Sequence, residues 1–136
     1  MTLCDTGPIV ALVDRNDRHH APCVEVLAEL PPSPLVTTWP CFTEAMYLLY
    51  RVGGIEAQNE LWGFLVDGLL QLHLPAQLEW QRMRELMNQY SDMPLDFADA
   101  SLISAAEVRE DRKLFSLDGP LRAVRLDGSR ILEFVP

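Results

Sequence analysis

Two aspartates stand at the ends of short apolar segments that predict β-strands. Asp5 ends the segment 2–5, and Asp118 ends the segment 114–118. Aspartate also favours turns, so each residue taken alone has a simple structural explanation. In open α/β sheets, however, ligands bind at the carboxyl ends of the strands. The positions therefore predict that both carboxylates lie at the edge of a sheet where a functional site forms.

Two further acids fall inside apolar helical segments. Glu44 belongs to residues 41–50, which are apolar nearly all round and predict a buried helix, and no cation lies three or four residues from it. Asp99 falls on the apolar stripe of the next candidate helix, for which Asp96 is the expected cap. A buried, unpaired carboxylate is costly unless it binds a metal or becomes neutral. The alternative is that the helix dipole favours an acid in the first turn.

The donor types indicate what these four carboxylates can do together. Oxygen ligands without a nearby histidine or cysteine partner suit Mg²⁺ or Mn²⁺ better than Zn²⁺. A cation of this kind can position water for attack on a phosphodiester and stabilise the leaving oxygen. The sequence therefore favours metal-dependent phosphodiester hydrolysis.

Short strands must alternate with helices to bring the acids together. This pattern predicts an α/β fold in which a mostly parallel sheet of about five strands is covered on both faces. The length of 136 residues fits a single domain, 1–136. The strands are expected at 2–5, 35–38, 69–74, 114–117 and 131–135, and the helices at 8–13, 18–30, 40–52, 55–67, 76–90 and 96–109.

Several large side chains are expected in the core. Trp39 and Trp62 are expected to pack inside rather than to stack on a base, and so is a stripe on the helix at 76–90. That stripe consists of Trp80, Met83, Leu86, Met87 and Tyr90.

The charge balance limits how a nucleic acid can be held. Twenty acidic residues against eleven basic ones give a net charge of −9, which argues against a nonspecific nucleic-acid coat. Six of the basic residues fall in 109–136, where a phosphate is best tolerated. The candidates for substrate contact are Arg15, Arg18, Arg112, Arg122 and Arg125.

The cysteines indicate the type of cellular compartment in which the protein is expected. Cys4, Cys23 and Cys41 cannot all pair within one chain and contain no C-x-x-C spacing, so a reducing, cytoplasmic setting is expected. Neither a signal peptide nor a membrane span is expected, because no basic region precedes the first apolar stretch and no apolar run approaches about 20 residues.

Four motifs in order along the chain resemble the PIN domain. They are Asp5-Thr6-Gly7-Pro8, Thr43-Glu44-Ala45, the run Pro94 to Leu102, and Phe115-Ser116-Leu117-Asp118. More narrowly, the chain resembles VapC-type toxin ribonucleases of type II toxin–antitoxin systems. The resemblance implies a three-layer α/β/α fold, an endoribonuclease dependent on Mg²⁺ or Mn²⁺, a homodimer, and inhibition by a VapB-like antitoxin.

The resemblance also assigns roles to residues. It implies that Asp5, Glu44, Asp99 and Asp118 are the catalytic, metal-binding acids. The auxiliary positions that it implies are Thr6, Asp96 and Ser116. Related proteins often carry one more acid two positions after the last aspartate, where this chain has Pro120, so a second metal is expected to bind weakly.

Parts of the sequence also resemble other classes of protein. Asp5-Thr6-Gly7 resembles the aspartic-protease triplet, but the segment after it favours a helical turn rather than a β-rich fold. A receiver-type phosphoacceptor domain would need an aspartate after the third strand, where the chain has Leu74-Pro75. A degenerate PIN-like domain that binds a metal or a protein without cutting RNA is the main alternative. His19 and His20 are possible ligands for such a site, although solvent exposure is the simpler expectation.

Overall fold

A computed structural model describes residues 1–126 and 132–136. The described strands form one parallel sheet in the order β3-β2-β1-β4-β5. The strands are β1 (Thr2–Cys4), β2 (Leu35–Thr38), β3 (Leu70–His73), β4 (Lys113–Phe115) and β5 (Glu133–Val135). The helices are α1 (Thr6–Val13), α2 (His20–Glu29), α3 (Trp39–Val66), α4 (Gln77–Gln89) and α5 (Phe97–Arg109), with a 3₁₀ helix at Pro120–Ala123. The α/β prediction is confirmed, although residue 131 of the last predicted strand lies outside the described residues.

Alternation along the strands divides the core between the two faces of the sheet. Leu3 and Leu114 pack with α4 and α5, whereas their neighbours Cys4 and Phe115 pack with α1, α2 and α3. Successive side chains of a strand point to opposite faces, so a strand buried on both sides carries apolar residues toward each of them. The sheet is therefore the middle of three layers, with its strand ends free to carry polar residues.

Helix α3 changes direction at Gly54. Its backbone there has φ 62° and ψ −153°, outside the helical region, while the residues on either side are helical. Glycine adopts such a conformation at little cost because it has no Cβ. The helices predicted at 40–52 and 55–67 thus form one element with a sharp bend between them.

The expected core stripe of α4 is wrong at two positions. Met83 and Leu86 are buried as predicted, but Trp80 is 59% exposed and Met87 is 37% exposed. The buried side of α4 includes Glu79 instead, whose carboxylate accepts hydrogen bonds from the Ala76 amide and the Ser104 hydroxyl. The core side of the helix is rotated away from Trp80 as a result.

The other two tryptophans are also not core residues. Trp39 and Trp62 are 45% and 46% exposed. Both pack on the buried ring of Phe42, with Trp39 stacked at 5.3 Å and Trp62 edge-on at 5.1 Å between ring centroids. The described part of the chain contains no helix that is long and apolar enough to cross a bilayer.

Candidate active site

Parallel pairing brings Asp5 and Asp118 to the same edge of the sheet. Cys4 of β1 is in register with Phe115 of β4, and the Asp5 amide donates to the Phe115 carbonyl at 2.9 Å. Asp5 then begins the α1 turn and is buried, while Asp118 lies three residues beyond β4 and is half-buried. The two predicted strand ends therefore meet as expected.

The first turn of α5 supplies the third acid. Asp96 caps this helix, with Oδ1 accepting from the Asp99 amide at 2.8 Å, and Asp99 Oδ2 accepts from the Asp96 amide at 3.3 Å. This reciprocal capping box fixes the turn. Carboxylate oxygens of Asp5, Asp99 and Asp118 lie within 4.8 Å of one another. Three elements thus converge on one acidic cluster.

A cavity of about 290 Å³ opens over this cluster. Acidic side chains dominate its wall, and the first turns of α1 and α5 and the segment after β4 contribute the remainder. The lining residues are Asp5, Thr6, Gly7, Glu44, Asp96, Ala98, Asp99, Leu117 and Asp118.

Ser116 links two members of the cluster. Its hydroxyl donates to Asp5 Oδ2 at 2.8 Å and accepts from the Asp118 amide at 2.9 Å. Thr6 contributes through its backbone, since its amide donates to Asp5 Oδ1 at 2.7 Å while its hydroxyl donates to the Cys41 carbonyl at 3.4 Å. Both oxygens of Asp5 are therefore held in fixed directions.

Glu44 reaches the cavity from the exposed side of α3, so its expected burial is wrong. The helix buries only the side that carries Phe42, Ala45 and Leu49, and it leaves Tyr47 63% exposed. The sequence pattern predicted a fully buried helix because it counts Tyr47 and Tyr50 as apolar residues. Glu44 lines the cavity wall, and its carboxylate is not part of the 4.8 Å cluster.

Burial, together with repulsion between the acids, raises the pKa values of the carboxylates in the cavity. Burial raises the pKa of Asp99 to about 7, and the neighbouring charges of Asp96 and Asp5 act in the same direction. Burial also raises the pKa of Asp5, and the hydrogen bonds from Ser116 and Thr6 offset part of this rise. Burial and the charge of Asp96 raise the pKa values of Glu44 and Asp118. The cluster therefore holds more negative charge than its surroundings balance.

Cys41 is a neighbour of the cluster that the sequence did not assign to it. Its thiol lies 3.9 Å from Asp5 Oδ1 and 3.7 Å from the Ala98 carbonyl. Burial and the charge of Asp5 raise its pKa to about 12, so the group stays a neutral thiol. Its spacing of three residues from Glu44 is the signal that could have placed it here.

The predicted arginine contacts are spread around the molecule. Arg112 precedes β4, at the edge of the sheet opposite the cluster, and pairs with Glu133 at 3.2 Å. Arg122 stacks on the Phe134 ring at 4.3 Å. Arg15 and Arg18 are exposed beyond the end of α1 that points away from Asp5, and Arg125 is exposed after the 3₁₀ helix. None of the five lines the cavity over the acids.

The donor set fits a hard divalent cation. Every potential ligand is a carboxylate oxygen, which Mg²⁺ and Mn²⁺ prefer. None of the ion pairs within residues 1–126 and 132–136 involves an acid of the cavity. A cation would therefore neutralise charge that the described protein groups leave unbalanced.

Comparison with known proteins gives matches at both the family and the fold level. The family model of the PIN domain matches residues 2–126. VapC20 of Mycobacterium tuberculosis, a Sarcin-Ricin loop cleaving toxin, superposes with a TM-score of 0.79 at 22% identity, covering 88% of this chain and 91% of that one. VapBC2 of Rickettsia felis, solved bound to a promoter DNA fragment, superposes with a TM-score of 0.68 at 14% identity. The match covers 99% of this chain and 98% of that one.

A search of curated protein sequences found no significant match. The family model nevertheless spans all four motifs and each of the three clustered acids. The two superpositions add that the fold is that of VapC proteins. The chain belongs to the PIN domain family.

Proposed function

We propose that the chain is a Mg²⁺- or Mn²⁺-dependent endoribonuclease of the VapC-like toxin type, which hydrolyses phosphodiester bonds of RNA. The observation that carries the proposal is the convergence of Asp5, Asp99 and Asp118 within 4.8 Å at the carboxyl edge of the sheet. Family membership and the VapC fold support it. An aspartic protease is disfavoured, since Asp5 lies in a parallel α/β sheet with two aspartates nearby and no second Asp-Thr-Gly loop in the sequence.

Each residue has a defined part in this proposal. Asp5, Asp99 and Asp118 would hold the cation, and Glu44 completes the wall of the cavity. When bound, Mg²⁺ or Mn²⁺ supplies the positive charge that activates water and offsets the charge of the phosphate. Ser116 and the Thr6 amide keep the Asp5 carboxylate oriented, and Asp96 fixes the turn that carries Asp99.

The proposal extends to partners. VapBC2 was solved bound to DNA from its own promoter. By analogy, we propose that a VapB-like antitoxin inhibits this chain, that the chain forms a homodimer, and that it acts in the cytoplasm. Its three cysteines are all buried and unpaired, which suits a reducing compartment.

The test is cleavage of total RNA by the purified protein with Mn²⁺ or Mg²⁺, with and without a chelator. Wild type should cut RNA only with the metal, and Asp5→Ala should lose at least about 100-fold in rate, because it removes the most buried acid of the cluster. Asp92→Ala is the matched control, since Asp92 is exposed and does not line the cavity. It should cut like wild type.

Equal cleavage by wild type and Asp5→Ala, or cleavage that resists the chelator, would contradict the proposal. Metal binding by wild type without any cleavage would favour the alternative, a degenerate PIN domain that binds a metal or a protein. Thermal unfolding with and without Mn²⁺ separates these cases, because a ligand that binds only the folded state raises the midpoint.

A further inference from the structure

One face of α3 leads out of the acid cavity to solvent. With about 100° per residue, Tyr47 lies about 60° and Arg51 about 20° around the helix from Glu44. Glu44 lines the cavity, and the other two follow at successive turns away from it. We call Glu44, Tyr47 and Arg51 the α3 strip.

The strip combines an open aromatic ring with a cation. Tyr47 is 63% exposed, and the Arg51 guanidinium lies 5.9 Å from the centroid of its ring. Arg51 forms no ion pair with any residue in the described ranges. Exposed aromatic rings and arginines are the groups on which single-stranded nucleic acids stack and pair.

We propose that the α3 strip binds the single-stranded segment of an RNA substrate next to the bond that is cut. Tyr47 stacks on an unpaired base, and Arg51 contacts a backbone phosphate. This inference rests on the proposed ribonuclease function and adds residues that hold the substrate.

Charge favours RNA over a protein as the occupant. The chain carries a net charge of −9 and the cavity is lined by acids, so a phosphate backbone needs a cation close to the site. Arg51 provides one on the helix that borders the cavity. Tyr50, the other exposed tyrosine of α3, is 61% exposed but points about 120° away from Glu44, so it lies outside the strip.

The difference between the two tyrosines gives a matched test. Binding of a labelled mixed-sequence pool of 12-nucleotide RNAs is measured by fluorescence anisotropy, with every variant carrying Asp5→Asn to prevent cleavage. Tyr47→Ala should weaken binding about tenfold, Tyr47→Phe should keep it, and Tyr50→Ala should leave it unchanged. An abasic ribose-phosphate oligomer of the same length should not distinguish Tyr47→Ala from its parent, because it has no base to stack.

The role of Arg51 is tested by measuring how RNA affinity depends on salt concentration. Arg51→Ala should reduce the slope of log affinity against log salt by about 0.7, as expected for one lost contact with a single-strand phosphate, and Arg51→Lys should keep the slope. Thermal unfolding of each variant should match its parent, since both side chains are exposed.

The results separate this inference from the proposed function. Cleavage by wild type combined with equal binding by Tyr47→Ala and Tyr50→Ala would overturn the inference and leave the nuclease proposal standing. Absence of RNA binding by the parent protein would overturn it too. Tyr47-dependent binding without cleavage would support the inference while the nuclease proposal fails.

Discussion

Asp99 is the residue that connects the chemistry of the site most directly with the stability of the fold. Its pKa of about 7 means that the folded protein holds a proton that the unfolded chain, with an ordinary pKa of 3.8, releases at lower pH. Between these two values the folded state binds more protons, so the free energy of unfolding falls as pH rises. Ionised Asp99 therefore lowers the free energy of unfolding by its full amount above pH 7 and has no such effect below pH 3.8.

We therefore predict that Asp99→Asn raises the thermal midpoint of the metal-free protein at pH 8 and removes much of the decline between pH 4 and pH 7. Solvent screens this half-buried group, so the gain should be about 1–2 kcal/mol rather than the full value of the pKa shift. Differential scanning calorimetry across this pH range measures it.

Asp92→Asn, at an exposed acid outside the cavity, should leave the pH profile unchanged. A destabilised Asp99→Asn protein at pH 8 would contradict the prediction and would show that the capping bond to the Asp96 amide matters more than charge repulsion.

The sequence predicted the convergence of Asp5 and Asp118 because strand ends in a parallel sheet share one edge. It also placed Asp99, since a capping box fixes the first turn of a helix. It failed for the burial of Glu44, because hydrophobicity alone does not show which side of α3 the sheet covers. Tyrosine counts as apolar in such a pattern, yet Tyr47 lies in solvent. The catalytic roles of these acids stay predictions.

At the level of elements, most strand and helix positions followed from local patterns, and the mistakes came from long-range contacts. Trp80 was expected in the core of α4, but Glu79 lies there because His73, at the end of β3, and Ser104, on α5, bond to its carboxylate. No pattern within α4 reveals these partners. Gly54, in contrast, was recognised from sequence, because the conformation it adopts is one that glycine alone adopts readily.

We predict that Gly54→Ala destabilises the protein by about 1–3 kcal/mol. The φ of 62° with ψ of −153° strains any residue that carries a Cβ, although nothing lies within 4 Å of that atom's position. Gly63→Ala is the control, because Gly63 is helical and has equally open space around its Cβ position, so the substitution should stabilise α3 by about 0.5–1 kcal/mol. Chemical denaturation of both variants measures the difference. Similar stabilities for the two would show that the bend at Gly54 is not a fixed feature.

At the scale of the whole molecule, the distribution of apolar and acidic surface governs association. Four exposed side chains from α3, α4 and α5 line two adjoining cavities of about 600 and 170 Å³. We call this the α4–α5 apolar surface: Trp39, Trp80, Met87 and Phe97. A homodimer could bury it, although two copies at −9 each bring a total of −18 together. Salt should therefore strengthen the dimer by screening this repulsion, whereas it should weaken RNA binding.

We predict that Trp80→Glu converts the proposed homodimer to a monomer in sedimentation velocity experiments, because it removes an aromatic ring from this surface and places a carboxylate in a contact that excludes water. Leu78→Glu is the matched control. Leu78 is 82% exposed on the same helix but points about 160° away from Trp80, so this variant should remain dimeric. Wild type should also shift further toward the dimer as salt rises from about 0.05 M to about 0.5 M. A wild-type protein that stays monomeric, or two variants that dissociate alike, would place the dimer contact elsewhere or rule it out. In either case the acid cluster, which lies within one chain, would still be available for cleavage.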